Sequence, residues 1–150
     1  MGIHKKDHRD PSTIITPTTY IGIDPGTDTG LAIVQDGKYI VLRTGDILDI
    51  FERILPYKGS CIILIENPNL RKYFGNTGRE KLQGAGSIKR DFAIWMTFIE
   101  KHNIPFIEVA PAAIGRTFDN PDFFKKVTGW QGHTSKHARD AAKLVYRYIQ

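Results

Sequence analysis

The stretch Tyr20-Ile21-Gly22-Ile23-Asp24-Pro25-Gly26-Thr27-Asp28-Thr29-Gly30-Leu31-Ala32-Ile33-Val34 decides the fold. Two short apolar runs, 20–23 and 31–34, flank an acid and a glycine-rich turn and read as buried strands. Asp36-Gly37 joins the second run to Lys38-Tyr39-Ile40-Val41-Leu42. Asp-Gly between two β-rich runs is a hairpin signal, so the three strands form an antiparallel meander. Asp46 then caps a helix that spaces Ile47, Ile50, Phe51 and Ile54 at helical intervals and ends at Pro56. Cys61-Ile62-Ile63-Leu64-Ile65 shows no polar alternation, which marks a central strand covered on both faces. Residues 67–83 are polar, glycine-containing and basic, and read as a loop. Ser87 to His102 places Ile88, Phe92, Trp95, Met96 and Ile99 on one helical face. Pro105-Phe106-Ile107-Glu108-Val109 is a fifth strand, parallel to the fourth because a helix lies between them. Short helical pieces are expected over 111–130. A last helix opens at Thr134 or Ser135 and turns Ala138, Ala141, Leu144, Val145 and Tyr148 inward. The order βββαβαβα gives an α/β fold: a five-stranded mixed sheet, three antiparallel strands followed by parallel ones, with helices on both faces.

Composition bounds the function. The chain has 150 residues, 21 Lys+Arg against 16 Asp+Glu, a net charge of +5 and 41% hydrophobic residues. That describes one folded unit, expected over residues 19–150, behind a flexible polar tail over 1–18. A large two-lobed enzyme is not expected. The longest purely apolar stretch, 61–65, is far below the ~20 residues of a bilayer span, so no membrane partner is expected. Lys5, Lys6 and Arg9 are followed by no apolar run, so no secretory signal is expected. The single cysteine, Cys61, suits a reducing compartment, and its place in the most buried run suits an inert thiol. The basic balance favours an anionic partner.

Four side chains carry the candidate chemistry. Asp24 directly follows the first strand and Glu66 the fourth. In open α/β sheets, sites form at the carboxyl ends of strands. Two acids there are costly unless a cation neutralises them. His137 and Asp140 stand three residues apart at the start of the last helix, which puts them on one face with Cβ atoms ~5–6 Å apart. Three carboxylates and an imidazole suit Mg²⁺, with Mn²⁺ as a substitute. Such a set holds two ions ~4 Å apart in sites that hydrolyse phosphodiesters. Each residue alone has an ordinary reading: a strand-end acid as a loop or capping residue, a helix-start histidine as a solvated one. The glycines of 22–30 leave room for a phosphate or metal to approach the backbone. Zinc fits poorly, because His133 and His137 have no further ligands at suitable spacing. No nucleotide cofactor is expected either, since Gly75-Asn76-Thr77-Gly78-Arg79-Glu80-Lys81 lacks phosphate-loop spacing.

Gly22-Ile23-Asp24-Pro25-Gly26-Thr27-Asp28-Thr29-Gly30, a strand, an acid and a glycine-rich turn into a second strand, is a pattern shared by ribonuclease H-like nucleases and by actin-like ATPases and sugar kinases, and the latter need several hundred residues. With Ile65-Glu66, Gly84-Ala85-Gly86 and His137-Ala138-Arg139-Asp140-Ala141 in this order, the chain resembles the RuvC family of Holliday-junction resolvases from about Thr19 to Tyr148. The resemblance implies a ribonuclease H-like fold and a homodimeric, Mg²⁺-dependent endonuclease that nicks two opposed strands of a four-way DNA junction. The family's catalytic acids map onto Asp24, Glu66 and Asp140. The position three before the last acid is Asp in some relatives and His in others; here it is His137, which lowers the negative charge of the site by one. Two other readings stay open: a nuclease of the same fold acting on RNA–DNA hybrids, flaps or other branched DNA, and a non-catalytic junction-binding protein. The expected compartment is the cytoplasm of a bacterial cell or phage-infected host, with an organelle as the alternative.

Basic residues supply an independent pointer to nucleic acid. Residues 69–90 hold Arg71, Lys72, Arg79, Lys81, Lys89 and Arg90 against Glu80 alone. Lys and Arg contacts to phosphates give affinity without sequence information. Tyr73 and Phe74 lie among them and either stack on unpaired bases or anchor the loop to the core. Lys125, Lys126 and Lys136, with Arg139, form a second group, in which Lys136 neighbours the proposed ligands and is placed to hold a scissile phosphate. Gly84-Ala85-Gly86-Ser87 at a helix start offers backbone N–H groups to a phosphate or, more simply, a Ser87 cap. The exposed face of the 87–102 helix is the candidate dimer surface.

Overall fold

The computed structural model describes residues 19–70, 79–111 and 118–150, with side chains over 79–85 left out of the description. The tail over 1–18 and the candidates Arg71, Lys72, Tyr73 and Phe74 lie outside the described residues, as do the side chains of Arg79 and Lys81.

Five strands form one sheet: β1 Thr19–Asp24, β2 Thr29–Gln35, β3 Lys38–Gly45, β4 Cys61–Glu66 and β5 Phe106–Val109. Their order across the sheet is β3-β2-β1-β4-β5. The first three are antiparallel neighbours, and β1–β4 and β4–β5 pair in parallel. Asp36 (φ 52°) and Gly37 (φ 78°) make the tight turn of the β2–β3 hairpin, the conformation Asp-Gly favours.

Helix α1 (Ile47–Ile54) and helix α2 (Arg79–Lys101) cover one face. There Ile21, Ile23, Leu31, Ile33, Ile63 and Ile65 meet Ile50, Ile54, Phe92, Trp95 and Ile99. Helix α3 (Pro121–Thr128) and helix α4 (Lys136–Val145) cover the other, where Ala32, Val34 and Leu64 meet Phe124, Ala141, Ala142, Leu144 and Val145. The alternation of side chains along each strand sorts the sheet residues between these two cores. Asp46 caps α1 by accepting from the Asp49 N–H at 2.8 Å, as expected. Ser135 is the cap of α4, accepting from the Ala138 N–H at 3.1 Å. Past α4, Tyr148 stacks on Tyr20 with ring centroids 3.7 Å apart. No helix among the described residues is long and apolar enough to cross a membrane.

Two expectations are corrected. The loop expected over 67–83 does not extend through its last five residues, because α2 already begins at Arg79. Arg79, Glu80, Lys81, Leu82 and Gln83 are all good helix formers, and they outweigh the glycines that follow. Gly84-Ala85-Gly86-Ser87 therefore lies inside α2 and neither caps it nor offers free N–H groups. Ile88, placed on the apolar face by its spacing, is 42% exposed; burial along the described part of α2 begins at Asp91, where the helix meets the sheet.

Candidate functional site

β1 and β4 run parallel and side by side, with Ile23 opposite Ile65, so Asp24 and Glu66 end neighbouring strands at the same sheet edge. Asp24 alternates with the inward Ile23 and shares the α4 face of the sheet with Gly22; Glu66 shares that face with Leu64. Asn67 closes β4 directly after the acid. Its N–H donates to the Val109 carbonyl at 2.9 Å, and its Oδ1 accepts from the Asn69 N–H at 2.8 Å, which turns the chain away.

Helix α4 delivers the other two side chains, and glycines set its distance from the sheet. A Cβ on Gly22 would lie 2.2 Å from the Ala141 carbonyl oxygen, and one on Gly30 would lie 2.0 Å from that of His137. Only glycine admits the helix backbone so close. These two positions thus seat a helix and do not open the backbone to a ligand. Gly26, in the turn, has only ordinary contacts at its Cβ position. The seat is tied at its margins. The Thr44 and Ser135 hydroxyls hydrogen-bond, fixing the start of α4 to β3. The Tyr39 hydroxyl donates to the Ala142 carbonyl at 2.8 Å. The Arg139 side chain donates to the carbonyls of Phe118 (2.9 Å), Thr134 (2.6 Å) and Asp119 (3.3 Å).

Seated in this way, Asp24, His137 and Asp140 bring one ligand atom each to within 4.8 Å of one another. His137 Nδ1 is 3.0 Å from Asp24 Oδ2. Glu66 reaches the same carboxyl through a side-chain hydrogen bond. Burial pushes the Asp24 carboxyl above its usual range; the hydrogen bond from His137 works against this, and the nearby Asp140 charge adds to it. A buried acid beside two further carboxyls and an imidazole is an arrangement that a hard divalent cation relieves. Asp24, His137 and Asp140 offer the donor set, with Glu66 adjoining it. Lys136 Nζ lies 3.0 Å from Asp140 Oδ2, so this exposed lysine pairs with a candidate ligand's oxygen. Lys89 and Arg90 are exposed on α2, with Arg90 donating to Ser87 Oγ at 3.2 Å. Lys125 and Lys126 occupy the last turn of α3, where cations also complement the helix dipole. Cys61 is buried, and burial raises its thiol to about 11.

The sequence reading missed the helix seat and the groups behind Asp140. The seat had a signal: small residues at 22, 30 and 32, facing an alanine-rich helix. Lys143 and Asp119 had none. Their partners are set by how the chain packs.

No protein-family model matches the sequence, and neither does any curated protein. Solved structures do. A structure described as T. thermophilus RuvC in complex with Holliday junction substrate superposes with a TM-score of 0.60 at 12% identity, covering 86% of this chain and 90% of the other. A Thermus thermophilus RuvC structure gives 0.51 at 14% identity, covering 85% and 91%. The shared architecture spans nearly the whole of both chains, and the five-stranded mixed sheet with its flanking helices is a RuvC-like, ribonuclease H-like fold.

Proposed function

We propose that this chain is a divalent-metal-dependent endonuclease that resolves four-way DNA junctions. One observation carries the reading: Asp24 from a central strand and His137 and Asp140 from α4 converge within 4.8 Å, with Glu66 hydrogen-bonded to Asp24, in a fold shared with a RuvC described in complex with Holliday junction substrate. Asp24, the most enclosed of the four, would hold the ions, Mg²⁺ or Mn²⁺, together with Glu66 and Asp140. When bound, such ions supply a nucleophilic water at neutral pH and charge for the leaving oxygen. His137, whose Nδ1 faces Asp24, would ligate an ion or orient the attacking water through its other ring nitrogen. Hydrolysis joins the water oxygen to phosphorus, breaks one phosphorus–sugar oxygen bond and returns a proton to the departing oxygen. Lys89, Arg90, Lys125, Lys126 and the residues of the 71–81 segment would bind phosphates around the site. Two symmetric nicks need two sites, which favours a homodimer.

The test uses a synthetic four-way junction beside linear duplex, flap and RNA–DNA hybrid, each with Mg²⁺, Mn²⁺ or EDTA. Paired symmetric nicks in the junction alone are expected, lost in EDTA and reduced at least about a hundredfold by Asp24→Asn. The active species should have the mass of a dimer by light scattering. Cutting of hybrid or flap would move the substrate, and junction binding without cutting under any metal would overturn the catalytic reading.

A further inference from the structure

Two ammonium groups hold the two oxygens of Asp140, and they are held in opposite ways. Lys136 Nζ is 3.0 Å from Oδ2, on a side chain that is 65% exposed. Lys143 Nζ is 3.3 Å from Oδ1, on a side chain that is 5% exposed. A buried ammonium needs carboxylate partners to offset its lost hydration, and Lys143 has a second one: Asp119 Oδ1 at 3.1 Å. Asp119 is itself fixed from behind. The buried Arg139 donates to its carbonyl oxygen at 3.3 Å and to that of Phe118 at 2.9 Å. The line Arg139, Asp119, Lys143, Asp140 therefore begins and ends on α4 and closes through the segment before α3.

Carboxylates turn easily about their last torsion, so a metal-binding acid is commonly oriented by a partner that does not touch the metal. We propose that Lys143, anchored by Asp119, is a positioning residue that fixes Asp140 through Oδ1 and presents Oδ2 to a divalent cation. Lys136 occupies Oδ2 until the cation displaces it. An exposed lysine four residues from its acid forms a weak pair and is easily displaced; an enclosed one between two carboxylates is not. This inference rests on the metal-site reading above and adds the device that aims one ligand.

The two lysines predict opposite signs. The experiment titrates Mn²⁺ into the DNA-free full chain and follows binding by electron paramagnetic resonance. Removing either positive charge tightens cation binding if charge alone matters. Lys136→Met is expected to tighten Mn²⁺ several-fold, because a competitor is gone. Lys143→Met is expected to weaken it about tenfold or more, against the electrostatic direction. Asp119→Asn should weaken it less, and the double variant should be no worse than Lys143→Met, since both act through one contact. With the junction substrate, Lys143→Met should lower kcat and leave KM in place. Unchanged or tighter Mn²⁺ binding in Lys143→Met overturns the proposal. Should that variant not fold, Asp119→Asn decides, and unchanged affinity there overturns it equally. A wild-type chain that binds no Mn²⁺, or whose binding survives Asp24→Asn, removes the metal-site reading and this inference with it. Binding lost in Asp24→Asn but indifferent to Lys143 and Asp119 overturns the positioning role alone.

Discussion

Asp24 is the residue on which stability and chemistry oppose each other. Burial holds its carboxyl above the ordinary 3.8, so between that value and its raised one the folded chain binds more protons than the unfolded chain. Stability then falls as pH rises through the window, and above it the charged Asp24 is a standing cost to the metal-free protein. Asn keeps the shape and an oxygen acceptor for His137 without the charge. Asp24→Asn should therefore raise the melting temperature in EDTA at pH 7–8, and the difference should shrink as pH falls toward 4. Thermal unfolding of both proteins across that range checks it; an equal or lower melting temperature for the variant at neutral pH would contradict this account. Divalent cations should stabilise wild type and not the variant. At this scale the sequence was informative where chemistry follows local position. Strand-end acids and a His–Asp pair three residues apart announce a site before any packing is known. Lys143 reads as one more surface lysine near an acid, because its enclosure depends on Asp119, 24 residues away.

Among the elements, α4 carries half of the site, and its depth is set by Gly22 and Gly30. Gly30→Ala would put a Cβ 2.0 Å from the His137 carbonyl, and neither backbone can yield cheaply. The helix must move by roughly an ångström, a displacement that costs about a hundredfold in rate at a preorganised site. Cleavage and Mn²⁺ affinity should both fall, with stability lower by about 1–3 kcal/mol in denaturant unfolding. Gly86→Ala is the control: nothing lies near its Cβ position within α2, and it should be neutral or stabilising by up to ~1 kcal/mol. Equal effects from the two substitutions would remove the glycine seat from the argument. The elements were legible in proportion to their periodicity. Strand β4, the β2–β3 hairpin, the cap at Asp46 and the inward face of α4 follow from pattern alone; pattern left the opening of α4 between Thr134 and Ser135, and Ser135 is the cap. The start of α2 did not, because glycines and charges looked like a loop while the intervening residues favoured helix.

In the whole molecule, the sheet is a partition with a core on each side. The basic helix α2 packs in one core; α3 and α4, which carries His137 and Asp140, pack in the other. The strands β1, β2 and β4 line both cores, and β1 and β4 each end in an acid of the candidate site. The antiparallel meander and the parallel β4–β5 pair were readable from the hairpin and the crossover helix, and so was the edge where acids gather; the β1–β4 pairing that joins the two halves of the sheet was not. What lay beyond reading was the registration of α4 on that edge, because it depends on close approach of two backbones. The glycines have one more effect. Where a strand and a helix touch main chain to main chain, their separation acts as a ruler graduated by peptide geometry and indifferent to side-chain volume. Trimming Val34 or Leu144 in the adjacent core should lower the melting temperature, by about 0.5–4 kcal/mol of stability, while leaving Mn²⁺ affinity almost untouched. Under random mutagenesis, positions that govern robustness and positions that govern Mn²⁺ affinity should form separate sets, so this chain can drift widely in its core while Asp24, His137 and Asp140 stay in gauge.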